Sequence, residues 1–321
     1  MTTSFQPRKP AGSPQGGQFD TKPHAAVSVS VDKPHTTEID PYEYQSDDLT
    51  GMDFDGLSQD ELSLCESTIS HMTISNSFID ELDLTYTEGE KATISNHTGQ
   101  AVRLNYAGLQ DFTIENAANS SLFFTDSDTA FTTIDKSKLA VLDTTRARMP
   151  RSTIRDTRID VIRADSTSLY GSLITNVTTR DARLRHSDMS MASIKESNFA
   201  GSDFQGVNWD RGEVISSNME GAKLCGSTLT SFHFVETNAR DVDMRLCDTR
   251  FLTCTDSDMA GSKWDGAHLG EMRAERTDFT GADFSGATFD YAQFSRCTLS
   301  TDQRERLENE PTVELRDCTW V

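Results

Sequence analysis

The chain has 321 residues, of which 51 are Asp or Glu and 30 are Lys or Arg, so its formal net charge is -21. Only 35% of the residues are hydrophobic, a proportion typical of disordered chains unless the apolar residues follow a regular pattern. The sequence contains neither a run of 18 apolar residues nor the features of a secretory signal, which argues against a membrane span and favours a cytoplasmic protein.

Residues 1–48 are predicted to be a disordered tail. The segment is rich in Gly, Ser and Thr and carries six of the eight prolines: Pro7, Pro10, Pro14, Pro23, Pro34 and Pro41. Its stretch from Pro10 to Phe19 resembles a short segment found near the termini of proteins from high-GC Gram-positive bacteria and their phages. That likeness favours a bacterial or phage source and implies no mechanism.

After residue 48 the sequence repeats with a period of five. From Leu64 to Leu299, 48 residues have numbers that end in 4 or 9, and 41 of them are apolar, whereas the overall composition predicts about 17. Small residues occupy 37 of the 48 positions that end in 2 or 7. Among the 48 positions that end in 3 or 8, only four are apolar: Phe78, Ala118, Phe123 and Leu173. The pattern therefore has a buried centre, a small inward slot and an outward position in every unit.

A period of five fits neither a helix nor one long strand, because their side-chain periods are 3.6 and 2. It fits a short strand followed by a two-residue corner, so that four units close one square coil of 20 residues. We therefore predict an all-β fold, a right-handed quadrilateral parallel β-helix of about 12 coils over residues 49–300. The rod would be roughly 58 Å long.

Two segments carry a family resemblance. The segments 197–206 and 277–294 contain Ser197-Asn198-Phe199, Ala282-Asp283-Phe284 and Ala287-Thr288-Phe289 in register. They resemble the A-(D/N)-(L/F) signature of the pentapeptide-repeat family, a right-handed quadrilateral β-helix. The likeness covers about 240 residues, although the small slot is often Ser or Thr here where the family prefers Ala. A degenerate stretch, with Gly89, Gly99 and Asn119 at centre positions, predicts a bulge or loop between residues 86 and 120.

Large side chains at the centre positions are predicted to fill the interior. The strongest candidates for this core are Phe199, Phe204, Trp209, Trp264, Phe279, Phe284, Phe289 and Phe294. Where the centre residue is small, the slot two residues earlier is large, as in Leu142 with Thr144, Ile162 with Ala164, Leu252 with Cys254 and Met272 with Ala274. This compensation is expected of an interior with constant volume.

Residues 301–321 are predicted to close the C-terminal end of the rod. Ser300 and Asp302 are residues typical of a helix start, and Pro311 stops a helix, so we expect a short helix at about 302–309. Residues 313–320 alternate like a last strand. In members of the family such a C-terminal element mediates dimerisation, and the resemblance leaves a homodimer through this cap open.

No pattern of catalytic, cofactor or metal-binding residues emerges, and we expect no enzyme activity, cofactor or metal. The seven histidines lack metal-ligand spacing, and His186, His233 and His268 are expected on or near the outward face. The six cysteines form no C-x-x-C pair and are expected to be reduced thiols. Cys247, Cys254 and Cys297 occupy inward positions, so burial should leave them unreactive.

The charge is unevenly distributed along the chain. By segment, the net charge is -3 for 1–48, -12 for 49–145, +5 for 146–185, -3 for 186–235 and -8 for 236–321. The basic segment, which we call the arginine belt, contains Arg146, Arg148, Arg151, Arg155, Arg158, Arg163, Arg180, Arg183 and Arg185. Arg148, Arg158, Arg163 and Arg183 are candidate partner contacts, because a cluster of cations attracts an anionic partner.

A structural role explains most of the same arginines. Residues 20 apart lie on adjacent coils, which pairs Asp135 with Arg155, Asp160 with Arg180 and Asp165 with Arg185. The same spacing aligns Asp143, Arg163, Arg183 and Asp203 in one column. We favour ion pairs between coils over a binding site as the explanation of the belt.

The leading hypothesis is a rigid, non-enzymatic interaction scaffold with an unidentified protein partner. The resemblance implies a second one, because the best-known activity of the family is mimicry of B-DNA by an acidic rod that occupies a type II topoisomerase such as DNA gyrase. Close mimicry over 58 Å needs on the order of 34 negative charges, whereas residues 49–321 supply a net -18. The acidic part 49–145 keeps this alternative open. Direct binding of nucleic acid is not expected, because the net charge repels phosphate. An enzyme hidden in the degenerate stretch or dependent on the tail is the least favoured hypothesis.

Overall fold

The computed structural model describes residues 39–321, except for the side chain of Asn119. The greater part of the predicted tail, residues 1–38, lies outside the described residues. The strands are β1 (Asp53–Asp55), β2 (Ser58–Ser63), β3 (Thr73–Ser75), β4 (Phe78–Asp83), β5 (Glu88–Glu90), β6 (Thr93–Ser95), β7 (Ala101–Arg103), β8 (Gly108–Gln110), β9 (Thr113–Glu115), β10 (Ala118–Phe123), β11 (Thr133–Asp135), β12 (Lys138–Asp143), β13 (Thr153–Arg163) and β14 (Leu173–Arg183). They continue with β15 (Ser193–Lys195), β16 (Glu213–Ile215), β17 (His233–Val235), β18 (Thr253–Thr255), β19 (His268–Gly270), β20 (Arg273–Glu275), β21 (Thr288–Asp290), β22 (Gln293–Ser295), β23 (Thr298–Leu299), β24 (Glu314–Arg316) and β25 (Thr319–Trp320), and α1 spans Thr301–Glu308.

The strands pair in parallel from one coil to the next. Apart from a bulge in β10, the partners are 20 residues apart except in the last coil, where they are 21 apart. Phe54 pairs with Ile74, and Ile74 pairs with Ile94. One column of such strands runs from β1 to β24 and advances by about 13 coils. The right-handed quadrilateral β-helix is therefore confirmed, with about one coil more than the sequence predicts.

We name the four walls of the solenoid by their centre residues. Wall A consists of Ile74 and the centre residues at intervals of 20 before and after it. Walls B, C and D are defined in the same way from Ile79, Leu84 and Leu109. Because the chain passes through A, B, C and D in order, walls A and C are opposite, as are B and D. Residues on either side of each centre point outward.

Stacked centre side chains form a continuous core. On wall A, seven consecutive coils place an isoleucine at the centre, and each is at most 6% exposed: Ile74, Ile94, Ile114, Ile134, Ile154, Ile174 and Ile194. In the last coils aromatic rings fill the interior, and the centroids of Phe279 and Phe284 lie 5.8 Å apart. Phe199, Phe204, Trp209, Trp264, Phe289 and Phe294 are also at most 5% exposed.

Three of the four corners turn through a left-handed residue in every coil. Residues at these corners have positive φ even where they are not glycine, as at Tyr86, Tyr106 and Arg151. The corner between walls B and C is different, because the residues 20 apart from Glu61 to Asp181 lack positive φ, whereas those from Gly201 to Gly281 have it. The solenoid thus changes its corner type between residues 181 and 201.

The change of corner type coincides with a change in the inward residue that follows it. Up to the change this residue is large and apolar: Leu62, Leu82, Val102, Leu122, Leu142 and Ile162. Beyond it, most are small: Ser202, Ala222, Val242, Ser262 and Ala282. Ala182, which follows the last extended corner at Asp181, is already small. The extended corner therefore goes with a large inward side chain in six coils, with Ala182 as the exception, and the left-handed corner goes mostly with a small one.

The predicted volume compensation is incomplete just before this junction. Leu142 and Ile162 are buried together with the small centre residues Thr144 and Ala164. These four residues nevertheless line an apolar cavity of about 20 Å³ that extends to Ile174. Packing next to the junction is therefore looser than constant interior volume requires.

The degenerate stretch keeps the coil register but contains a local bulge, as the sequence predicts. Pairing between β10 and β12 shifts on either side of Ser120, and the Ser120 hydroxyl donates to the Gly99 carbonyl at 3.0 Å. A Cβ at Gly99 would collide with the Ile79 carbonyl oxygen, so the backbone of this residue lies where a centre side chain would normally be. The imidazole of His97, 1% exposed, packs beside it in place of a small residue.

Residues 39–48, which the sequence analysis includes in the tail, form a turn over the N-terminal end of the solenoid. The Ser63 N–H donates to the Pro41 carbonyl at 2.8 Å. The Ser67 hydroxyl donates to the Tyr44 carbonyl, also at 2.8 Å. The Tyr44 ring packs edge to face on Phe54, with the centroids 5.4 Å apart. These contacts supply the first coil with partners on its open side.

The C-terminal end is closed by α1 and the strands that follow it. The helix starts one residue earlier than predicted, and the Ser300 N–H donates to Gln303 Oε1 at 2.8 Å. Carbonyl groups of the last coil have no further coil to pair with, and side chains of the cap donate to them instead. Gln303 Nε2 donates to the Phe279 carbonyl at 3.0 Å, and Arg306 Nη2 donates to the Ala287 carbonyl at 2.7 Å.

The buried His97 makes the stability of the solenoid depend on pH. Neither ring nitrogen has a hydrogen-bond partner among the described residues, and burial lowers the pKa of His97 to about 4. Since the unfolded chain binds a proton near pH 6.5, stability is expected to fall by about 3 kcal/mol as the pH drops from 6.5 to 4. Urea unfolding of H97M should lose this part of the pH dependence. The exposed His186 provides the control, because H186Q should keep it; an unchanged slope in H97M would contradict the assignment.

Candidate partner-binding surface

The arginine belt runs around the solenoid instead of forming one patch. Arg148 lies on wall D and Arg158 on wall B, which are opposite walls, whereas Arg163 and Arg183 lie on wall C. Only the last two are neighbours, in register on β13 and β14. The structure therefore divides the four candidate partner contacts among three walls.

Most arginines of the belt form ion pairs with carboxylates on their own coil or an adjacent one. Two of the predicted pairs are present, Arg155 with Asp135 at 2.8 Å and Arg180 with Asp160 at 3.0 Å. Three of the candidate contacts are also paired: Arg148 with Asp128 at 2.8 Å, Arg158 with Asp160 at 3.4 Å and Arg183 with Asp165 at 2.5 Å. The predicted pairing of side chains between Asp165 and Arg185 is replaced by Arg185 with Asp203 at 2.5 Å.

Two arginines of the belt have no carboxylate within ion-pair distance among the described residues. Arg163 lies in the predicted column between Asp143 and Arg183. Its guanidinium nevertheless contacts neither the Asp143 carboxylate nor the Asp203 carboxylate of the same column. Arg151 stacks on the Phe131 ring, with its guanidinium carbon 5.9 Å from the ring centroid. Ion pairs thus account for seven of the nine arginines, six of them with a carboxylate on an adjacent coil and Arg158 with Asp160 on its own coil. The belt therefore offers little free positive charge.

The pair between Arg155 and Asp135 is the most buried ion pair of the belt. Asp135 is 2% exposed, and its Oδ1 atom has no hydrogen-bond partner among the described residues. The hydrogen bond from Arg155 is the main cause that lowers the pKa of Asp135 below its usual range. Arg155 therefore compensates a carboxylate that water does not reach.

Histidines and cysteines are placed much as the repeat requires. His186 and His233 are exposed and His268 is half-buried. Burial raises the pKa of Cys247 to about 12 and that of Cys297 to about 11, and it also raises the pKa of Cys254. Thiols with such pKa values remain protonated and are poor nucleophiles at neutral pH.

The part of the chain that the structure describes, residues 39–321, contains no group of three or more His, Cys, Asp or Glu side chains arranged to hold a metal ion. Its only helix is far too short to cross a membrane, and none of the described residues forms a longer one.

A pair of exposed tyrosines lies at the corner between walls C and D. Tyr86 and Tyr106 are one coil apart, and their rings stack with centroids 5.0 Å apart and planes inclined by 10°. Their exposed fractions are 55% and 52%. Sequence analysis missed this pair, although the signal was present as the same residue type at corner positions 20 apart.

Acidic residues continue the corner on both sides of the tyrosine pair. Glu66 precedes Tyr86 by one coil, and Asp126 follows Tyr106 by one coil. Arg146 binds the Asp126 carboxylate through two hydrogen bonds of 2.7 Å. The Glu66 carboxylate, by contrast, accepts a hydrogen bond from the Ser46 hydroxyl at 3.2 Å and has no other side-chain partner in the part of the chain that the structure describes. Within residues 39–321, the carboxylate next to Tyr86 therefore has no cation, whereas the one next to Tyr106 has one.

A family model described as "Pentapeptide repeats" matches residues 254–289 and 265–300, with 8 copies. These residues lie in the part of the solenoid with four left-handed corners in each coil. The match agrees with the register of five that extends through the whole described solenoid. A search of the curated proteins finds no match.

Solved structures of low sequence identity resemble the chain. QnrB1, a plasmid-mediated fluoroquinolone resistance protein, is 20% identical in its trypsin-treated form; the alignment covers 53% of this chain and 91% of QnrB1, with a TM-score of 0.31. HetL, a pentapeptide-repeat protein involved in heterocyst differentiation regulation from the cyanobacterium Nostoc, is 13% identical over 79% of this chain and 90% of HetL, with a TM-score of 0.26. A pentapeptide-repeat protein from the Arabidopsis thaliana thylakoid lumen is 21% identical over 38% of this chain and 72% of its own, with a TM-score of 0.21.

Substitution of an ion-paired arginine of the belt is expected to lower stability more than substitution of an arginine without a carboxylate partner. In R155M, Asp135 loses its main cationic partner, so the midpoint of urea unfolding at pH 7 should fall and stability should depend less on pH as the pH drops below about 4. R163M serves as the matched control, because Arg163 has no carboxylate partner and its loss should leave the midpoint nearly unchanged. Equal midpoints for the two variants would contradict the ladder explanation of the belt.

Proposed function

Because the chain belongs to the pentapeptide-repeat family, we propose that it is a non-enzymatic scaffold that binds a protein partner through its outer walls. The observation that carries the proposal is the separation of inward side chains, which form the core, from outward side chains, which form the surface. Centre residues fill the interior, and the outward residues form four long, regular and polar walls. Such a rod presents a rigid surface, so binding loses little conformational entropy.

The buried chemistry of the described residues supports a scaffold over an enzyme. The inward thiols have raised pKa values, as described above, and the pKa of the inward imidazole of His97 is lowered by burial. The apolar cavity next to the corner junction is lined by the core and has no charged side chain at its wall. These groups explain packing, and none of them faces a cleft where a substrate would bind.

The acidic part of the solenoid, residues 49–145, is the region best suited to a partner. It carries 16 acidic and 4 basic residues, a net charge of -12, and the exposed tyrosine pair lies within it. The arginine belt is largely neutralised by its own carboxylates. A partner with a basic surface therefore fits the first region better than an anionic partner fits the second.

Pull-down experiments with the purified full chain test this proposal. E66Q/D83N/E88Q removes three carboxylates from the acidic part, and D265N/E271Q/D290N removes three exposed ones from the C-terminal part. Capture of a saturable protein partner should fall several-fold in the first variant and persist in the second. Equal capture by both variants would show that the contact lies elsewhere. A specific complex should also resist a salt concentration that already dissociates nonspecific complexes.

Charge density favours one second candidate, a DNA mimic directed at a type II topoisomerase. Residues 49–145 make about five coils, or about 24 Å at the spacing of parallel strands. Duplex DNA of this length carries about 14 charges, against the net -12 of this region. A supercoiling assay with DNA gyrase separates the two candidates. Inhibition at stoichiometric concentration supports mimicry, and full activity at large excess excludes it in favour of the scaffold.

A further inference from the structure

We propose that the corner formed by Tyr86 and Tyr106 binds arginine side chains of a basic segment on the partner protein. The proposal rests on the function proposed above and names the chemistry of the partner. The corner is defined here as the tyrosine pair together with the carboxylates of Glu66, Asp83 and Glu88.

One face of the Tyr86 ring is not stacked on another aromatic ring of the pair. The two rings are stacked at 5.0 Å, close to the spacing of one coil. One face of Tyr86 is therefore covered by Tyr106, and its other face is directed along the corner towards the coil of Glu66. An aromatic face has a negative potential and attracts a cation placed over it.

The carboxylates around Tyr86 reinforce that attraction. Glu66 lies one coil before Tyr86, Asp83 lies three residues before it on wall C, and Glu88 lies two residues after it on wall D. Among the described residues, none of the three carboxylates forms an ion pair. The nearby Arg103 is already bound to Glu81 at 2.5 Å. An incoming cation therefore meets three uncompensated carboxylates beside an exposed ring.

The chain itself shows that one-coil spacing suits an arginine at such a corner. At the corner between walls D and A, Arg151 stacks on Phe131 of the preceding coil at 5.9 Å. At the tyrosine corner, Arg146 binds Asp126 of the preceding coil. In both contacts the arginine lies one coil after its partner, whereas the positions one coil after Glu66 and Tyr86 hold Tyr86 and Tyr106. Among the described residues, no arginine therefore contacts the Glu66 carboxylate or the Tyr86 ring. We infer that the partner supplies one.

A segment with several basic residues fits the surface better than a single small cation. Exposed cation–aromatic contacts and exposed ion pairs are individually weak. The acidic walls extend on both sides of the corner, so further basic side chains of one segment find carboxylates there. Arginine is favoured over lysine because its planar guanidinium stacks on a ring while it donates hydrogen bonds to a carboxylate.

Binding of synthetic peptides to the full chain tests the site directly. The probe is a fluorescent nonapeptide in which arginine alternates with glycine, and its affinity is measured by anisotropy at fixed ionic strength. Y86A/Y106A should bind it at least tenfold more weakly than the wild type. F251A/Y291A removes two exposed aromatic rings from another corner and should bind it as the wild type does. Equal losses in the two variants would overturn the proposal.

Two further variants separate stacking from simple apolar contact and from misfolding. Y86F/Y106F keeps the ring faces and should keep the affinity, whereas Y86L/Y106L keeps apolar bulk and should lose it. Leucine is tolerated at a left-handed corner, as Leu246 shows. If Y86L/Y106L binds as tightly as the wild type, the rings do not act through stacking and the proposal is wrong. Circular dichroism and urea midpoints establish that each variant is folded.

The result also distinguishes this site from the scaffold itself. If the wild type captures a partner in the pull-down and Y86L/Y106L captures it equally, the scaffold stands and the tyrosine site is excluded. If the wild type binds the arginine peptide through the tyrosines but captures no protein, the site stands and the proposed scaffold function fails. A lysine peptide of the same spacing should bind more weakly than the arginine peptide.

Discussion

Parallel pairing between residues 20 apart is the constraint on which the rest of the molecule depends. It repeats every side chain of one coil directly above the equivalent side chain of the next, as in the pairs of Phe54 with Ile74 and Ile74 with Ile94. Apolar residues at the centre positions then bury one another, which compensates the entropy lost by ordering short strands and tight corners. Since no coil can bury its own core, each coil needs its neighbours and each end needs a cap.

The same repetition governs the surface. A charge or ring on one coil necessarily has neighbours about 4.8 Å away on the adjacent coils. Opposite charges in one column neutralise each other, as Arg146 and Asp126 do. Like residues in one column reinforce each other, as Tyr86 and Tyr106 do. The surface features that distinguish this solenoid are therefore the columns in which a charged or aromatic side chain has no oppositely charged neighbour on the adjacent coils.

The irregular places follow from the same geometry. Gly99 lacks a centre side chain, and His97 fills the space with a polar ring that has no partner, which makes local packing sensitive to protonation. A small cavity lies beside the small centre residues Thr144 and Ala164, close to the change of corner type between residues 181 and 201. Both departures are accommodated without loss of register, because the backbone pairing of the adjoining walls is maintained.

The turn over the N-terminal end was not predicted from the sequence. Ser300, Asp302 and Pro311 predicted the C-terminal cap, and the period of five predicted the fold and the inward and outward positions. This was possible because each unit repeats the same local environment, so 41 apolar centres of 48 leave no alternative packing. The sequence also predicted two of the intercoil ion pairs, because 20-residue spacing is fixed by the coil. Only the tertiary structure showed that the side chain of Arg185 pairs with Asp203 instead of Asp165, that Arg163 pairs with no carboxylate of the described residues, and that the corner between walls B and C changes its type. Those outcomes depend on side-chain reach and on the turn of each corner, which one period cannot specify.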